Sequence, residues 1–191
     1  MSCARLSQIC HSYPMRLFIA AELPQGLTEA LAETSALLRE AVSGRYVAPD
    51  RFHITLAFLG ETDAACVQEL SALLMDACTG FPPIEVHLGA LGSFGRRKRA
   101  ALWQEVRSGG RLEALAGKIR RSLDTAGFPF DGKGFRAHVT LMRAADLSGG
   151  ALPMPHAAAG TIGTVALFKS DLSRKHPVYT PLSEAALGDG G

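Results

Sequence analysis

With 191 residues, 47% hydrophobic and 20% charged side chains and a net charge of +2, the chain is an ordinary soluble globular protein, built as one domain or two closely packed lobes. Its longest apolar stretches, such as residues 17–21, fall far short of the roughly 18 residues of a membrane span, and the small positive charge does not by itself demand nucleic acid. Cys3, Cys10, Cys66 and Cys78 form no CxxC pair and have no histidine at zinc-ligand spacing, which predicts reduced thiols in a cytoplasmic protein with no disulfide framework, no metal and no cofactor.

Residues 1–14 contain no continuous apolar run, so they read as a disordered extension without chemistry and not as a secretory signal. A strand over 16–22 leads through Pro24, suited to a first helical turn, into an amphipathic helix ending near Gly44. The apolar run around His53 reads as a strand. A helix follows over about 62–79, stopped by Gly80-Phe81-Pro82-Pro83. Strands at 84–91 and 100–106 are joined by a basic turn, and a helix over about 110–125 ends at Gly127. The run around His138 is again a strand. After a loop rich in Gly, Pro and Ala over 148–160, residues 161–172 and 177–184 read as closing strands of a hairpin, and 185–191 as a flexible tail. Strands and helices mix without strict alternation, so the class is α+β.

One pattern occurs twice: His53-Ile54-Thr55-Leu56 and His138-Val139-Thr140-Leu141. Side chains alternate faces along a strand, so each copy presents an imidazole and a hydroxyl side by side while its aliphatic residues point the other way. A lone strand histidine is commonly a packed or surface residue, but core packing needs no histidine at two equivalent places. Facing each other across a groove, the two copies would supply two titratable imidazoles and two hydroxyl donors, which suits a phosphodiester whose charge must be held and whose protons must move at both ends.

The repeated His-x-Thr-x pattern resembles the two-histidine phosphoesterases, and in particular their bacterial and archaeal RNA 2′,3′-cyclic phosphodiesterase branch, also called the 2′-5′ RNA ligase or LigT-like family. The likeness extends to Met15-Arg16-Leu17-Phe18-Ile19-Ala20, FHITLAFLG over 52–60, LGALGSF over 88–94, residues 101–103, Ala126-Gly127-Phe128 and FRAHVTLMR over 135–143. It implies a single bilobal domain over 15–184, with two related antiparallel sheets lining a central cleft and helices outside. The implied reaction is metal-independent hydrolysis of RNA 2′,3′-cyclic phosphate ends to a 2′-phosphate, with His53 as general acid and His138 as general base. Thr55, Thr140 and Arg143 would bind the phosphate. Reversible 2′-5′ ligation shares the same geometry, and tRNA fragments are candidate partners of a monomeric enzyme.

Three readings compete: this enzyme, an RNA-binding module without turnover, and a cyclic phosphodiesterase for small nucleotides such as ADP-ribose cyclic phosphate. A metallohydrolase is disfavoured because nothing completes a ligand shell. Arg143 poses a conflict, since strict alternation points it away from His138 unless the strand ends or bulges by Met142. Arg136 has the right parity and is a candidate groove residue. Phe58, by the same alternation, belongs to the core. The turn residues Arg96, Arg97, Lys98 and Arg99 are either a solvated hairpin tip that discourages edge pairing or contacts for the RNA backbone.

Overall fold

Alternating and continuous apolar runs become nine strands, and the periodic segments three helices, in a computed structural model that describes residues 13–173 and 176–188. In chain order these are β1 (Pro14–Ala21), α1 (Gln25–Ala41), β2 (Ser43–Tyr46), β3 (Ile54–Asp63), α2 (Val67–Cys78), β4 (Ile84–Phe94), β5 (Ala100–Arg107), α3 (Arg111–Ala126), β6 (His138–Asp146), β7 (Ala159–Ile162), β8 (Thr164–Asp171) and β9 (Val178–Ala186). They form two antiparallel sheets, ordered β3-β1-β8-β9 and β2-β6-β5-β4-β7. Helices α2 and α3 pack on each other, with α2 against β8 and β9 and α3 against β3, while α1 lies against β7. Buried residues of both sheets and all three helices, among them Leu17, Leu31, Leu74, Leu102, Ile119 and Leu141, belong to one hydrophobic cluster. Among the described residues no helix is long and apolar enough to cross a membrane.

The sheets do not divide the chain into halves. The helix expected to end near Gly44 stops at Ala41, and the extended, buried Val42 turns the chain toward β6, so that residues 43–46 are strand β2. The apolar run at 161–172 is two strands in different sheets: Ile162 pairs with Ile84, and beyond Gly163 the chain pairs with β1 and β9. Apolar composition says that a segment is buried, not which sheet it joins. The C-terminal end also differs from expectation. Strand β9 runs on to Ala186, Ala185 and Leu187 are buried, and the amides of Leu187 and Gly188 donate to Gly163 and Phe81, so residues 185–188 are packed structure and not a tail. Of the expected extension, residues 1–12 lie outside the described residues, and Pro14 already belongs to β1. Cys78 is a free buried thiol, but Cys66 is disulfide-bonded, contrary to the expectation of reduced thiols throughout.

Strand β3 is the edge of its sheet, and an edge presents unpaired carbonyls. Among the described residues no further strand covers it. The Arg120 guanidinium of α3 donates through Nε to the Leu56 carbonyl at 2.8 Å and through Nη1 to the Lys133 carbonyl at 2.9 Å, while the Asp131 amide donates to the Phe58 carbonyl at 2.8 Å. Arg120 also lies over the Phe130 and Phe135 rings. One side chain thus ties the edge of the first sheet to the segment that leads into β6, and holds the two motif strands near each other. Replacing it leaves a partly buried carbonyl without its charge-assisted donor, so Arg120→Leu is expected to lower unfolding free energy by about 2 to 3 kcal/mol in urea titrations. A change below about 0.5 kcal/mol, the scale of an ordinary surface substitution, would show that the guanidinium is not what closes this edge.

Candidate active site

His53 follows the short helical turn Pro49–Arg51 and immediately precedes β3; His138 is the first residue of β6. The two imidazoles are wired alike. Nδ1 of His53 lies 2.8 Å from the carbonyl of Arg51, and Nδ1 of His138 lies 2.6 Å from the carbonyl of Arg136, in each case two residues earlier. A carbonyl only accepts, so Nδ1 carries the hydrogen in both rings. The neutral imidazole is thereby left with Nε2 as the atom that takes or gives a proton. Aromatic rings hold each imidazole from the side: Phe18 and Tyr179 at His53, Phe94 and Trp103 at His138. The Trp103 ring lies flat over Gly92 of β4, where a Cβ would come within 2.2 Å of it, so only glycine admits the ring.

Simple alternation fails in both motif strands, at the same place. In β3, Ala20 stands opposite Thr55 but Ile19 stands opposite Ala57, so Leu56 is an extra residue, and Leu56 and Ala57 are both buried. In β6, Trp103 stands opposite Thr140 and Leu102 opposite Met142, so Leu141 is extra, and Leu141 and Met142 are both buried. Each bulge resets the parity of the residues beyond it. Arg143 therefore emerges on the face of His138 and Thr140, and its charge acts on both imidazoles. Phe58, assigned to the core by alternation, is brought to the face of Thr55 and lines the cleft. There it shares a pocket of about 120 Å³ with Thr55, Arg120, Phe135, Arg136 and His138.

The remaining sequence candidates are dispersed around this centre. Thr55 and Thr140 are half-buried, and among the described residues neither hydroxyl has a protein hydrogen-bond partner, which leaves both free to donate. Arg136 is exposed at the pocket, its guanidinium 5.1 Å from the centre of the Trp103 ring. In the basic turn, Arg97 is committed: its Nε and Nη2 both donate to the Leu147 carbonyl, and the Leu147 amide donates back to the Arg97 carbonyl. Arg96, Lys98 and Arg99 are exposed. His156 is away from this chemistry, beside Glu33 at 3.3 Å. Among the described residues no three His, Cys, Asp or Glu side chains converge as a metal shell requires. Sequence reading gave no role to Phe18, Phe94, Trp103 and Tyr179; their only signal was an aromatic residue in a strand, which core packing explains equally well.

Both imidazoles are held below the usual histidine range. Burial is the main cause for His53, pushed down to about 4, with the charges of Arg143 and His138 acting in the same direction and the Arg51 carbonyl opposing. His138 is lowered by burial and by Arg136 and Arg143, against the pull of its own carbonyl partner. In the ligand-free protein both rings are therefore neutral near pH 7. Linkage gives the sign: between pH 6.5 and 4 the unfolded chain binds a proton at residue 53 that the folded chain refuses, so stability falls as pH falls through that window. His53 alone is expected to cost about 2 kcal/mol of stability between pH 8 and pH 5. Denaturant titrations at the two pH values should show the loss in the wild type and a loss smaller by about that amount in His53→Gln. Equal losses would place the His53 pKa near its ordinary value.

The geometry can be set beside that of known proteins. The family model described as the 2′-5′ RNA ligase superfamily matches residues 19–153. An Escherichia coli protein named RNA 2′,3′-cyclic phosphodiesterase is 31% identical over 177 residues, covering 92% of this chain and 98% of that one. A protein of the same name from Archaeoglobus fulgidus is 32% identical over 133 residues, covering 68% of this chain and 72% of that one. The crystal structure of E. coli LigT in apo form superposes with a TM-score of 0.76 at 32% identity, over 92% of this chain and 99% of that one. The chain belongs to the 2′-5′ RNA ligase superfamily, the two-histidine phosphoesterases.

Proposed function

We propose that this protein is an RNA 2′,3′-cyclic phosphodiesterase that opens the cyclic phosphate to a 2′-phosphate. The observation that carries the reading is the mirrored pair of imidazoles, each with Nδ1 tied to a carbonyl and Nε2 left for proton transfer, with Arg143 acting on both. The names borne by the relatives supply the substrate class.

In the proposed reaction His138 Nε2 takes a proton from water as its oxygen bonds to phosphorus. The bond from phosphorus to the 3′ oxygen breaks, and His53 Nε2 gives that oxygen its proton. Thr55, Thr140 and Arg143 hold the non-bridging oxygens, whose charge grows toward the transition state. No metal enters this scheme. With a 5′ hydroxyl in place of water the same scheme joins RNA ends through a 2′-5′ linkage, and its reverse cleaves that linkage. The buried site refuses a proton at His53 when empty, so the proton needed there is taken up from solvent as the substrate binds: an anionic phosphate between the imidazoles favours the charged form and offsets Arg143.

The test is to offer a short RNA with a 2′,3′-cyclic end after exhaustive chelation and identify the product. A 2′-phosphate is expected at full rate; a 3′-phosphate would exchange the two roles, and loss of turnover on chelation would refute metal independence. His53→Ala and His138→Ala should each cost about 10²- to 10⁴-fold with the fold retained. An aryl phosphodiester whose leaving group needs no proton should recover much of the loss in His53→Ala and little in His138→Ala. Near-normal turnover of the RNA by either variant would sink the two-histidine mechanism.

We place the exposed cations of the basic turn on the RNA backbone, with Arg97 as their brace. Arg96→Ser, Lys98→Ser and Arg99→Ser combined should raise KM for an oligonucleotide and flatten its salt dependence by about 0.7 for each phosphate no longer neutralised. A mononucleoside 2′,3′-cyclic phosphate has no neighbouring backbone and should be little affected. Equal effects on both substrates would indicate damage to the cleft, and no effect on either would leave the turn as a solvated sheet edge.

A further inference from the structure

The edge strand β2 places a second arginine beside Arg143. Arg45 stands directly opposite Arg143 in the ladder between β2 and β6. Residues directly opposite share a face, and Tyr46 with the buried Met142 takes the other face, so Arg45 joins Arg143 on the side of the cleft. Two like charges in this arrangement destabilise a sheet. Among the described residues no carboxylate lies within ion-pair distance of either guanidinium, and both side chains are exposed.

The juxtaposition is built at a cost. Ser43 stands opposite Asp146 and Arg45 opposite Arg143, so Ala144 is an extra residue on β6; without that bulge Arg45 would face Ala144. Ala144 has φ of +51°, in the left-handed region that a residue with a side chain adopts only under strain. Opposite it, Gly44 has φ of +151°, and a Cβ there would come within 2.7 Å of Met142 Cε and 2.9 Å of the Ala144 carbonyl oxygen. The basic turn lies on the other side of the same end of β6, where Ala100 pairs with Ala145 and the charges of Lys98 and Arg97 act on Asp146. Cations thus flank the end of β6 on both sides, leading away from the histidines past Arg143.

We infer that Arg45, with Arg143, forms a site for a second backbone phosphate, the one next along the strand from the reacting phosphate. RNA then leaves the cleft past the end of β6, between β2 and the basic turn. The inference rests on the RNA-end reading and adds to it the path of the strand. A lone cyclic phosphate already has Arg143 and two hydroxyls, and a mononucleotide gives Arg45 nothing to hold.

The test compares a mononucleoside 2′,3′-cyclic phosphate with a dinucleotide carrying the same end and one internal phosphate. Arg45→Ser is expected to lower kcat/KM for the dinucleotide by about tenfold through KM, and to reduce its salt slope by about 0.7, the share of one single-strand phosphate contact. Arg45→Lys should keep most of the dinucleotide preference. With no ligand and at low salt Arg45→Ser should melt above the wild type, because it removes the like-charge pair; a merely structural arginine would have the opposite sign. Equal losses on the two substrates, an unchanged dinucleotide preference, or a lower melting temperature would each overturn the site. If the wild type hydrolyses neither substrate, it is the proposed activity that fails; hydrolysis of both with Arg45→Ser unaltered refutes only the second phosphate site.

Discussion

One extra residue in each motif strand decides what stands in the cleft. Had β3 and β6 kept strict alternation, the residue five positions after each histidine would have turned into the helix-covered side. An arginine there would have been a buried charge without a partner, which a fold tolerates only at a cost of several kcal/mol, about the whole margin of a small domain. The bulges at Leu56–Ala57 and Leu141–Met142 bury two consecutive aliphatic residues and return the next one to the cleft. The same local device thus serves opposite chemistries, placing a ring, Phe58, on one wall and a guanidinium, Arg143, on the other. The backbone frame is mirrored while its load is not, and that asymmetry gives two identically wired histidines different surroundings.

The electrostatics of the empty cleft come from the same arrangement. Burial and Arg143 both oppose a proton on His53, so the resting site has cationic arginines and neutral imidazoles. Such a site is unsatisfied until an anion enters. Holding the imidazoles neutral also keeps their Nε2 lone pairs unprotonated, the state a base requires, and in the proposed reaction a bound phosphate allows the acid to take up its charge. The carbonyls of Arg51 and Arg136 then have a double function: they fix which nitrogen faces the cleft and they favour the charged ring once it forms.

How much of this was legible in the sequence depends on the range of the interaction. The His-x-Thr pairs, the strands bearing them and the α+β class follow from local pattern, because side-chain alternation and helical periodicity act over a few residues. The conflict over Arg143 was visible as a parity mismatch, which a strand ending or bulging by Met142 would resolve, and it is the bulge that the structure shows. Phe58 was misplaced by the same rule, since the identical bulge in β3 left no such signal: a phenylalanine on either face makes chemical sense. Features that depend on pairing between distant strands were not legible. The split of residues 161–172 between two sheets, strand β2 beyond α1, and the aromatic rings set against each imidazole arise from partners tens of residues away.

Those distant pairings also set how the cleft works. The chain passes between the sheets after β1, β2, β3 and β7, and one hydrophobic cluster includes residues from both. Opening the cleft by swinging one sheet from the other would have to expose that shared core and release Arg120 from the carbonyls of Leu56 and Lys133. Together those losses are comparable with the net stability of a domain this size. The walls are therefore held at a set separation, and the two imidazoles keep their spacing without help from the ligand. Entry to the cleft falls to the rim, where Arg136, the basic turn and the edge strand β2 are exposed, and in the proposed reaction the binding energy of an RNA end goes to charge at the phosphate instead of closing a gap.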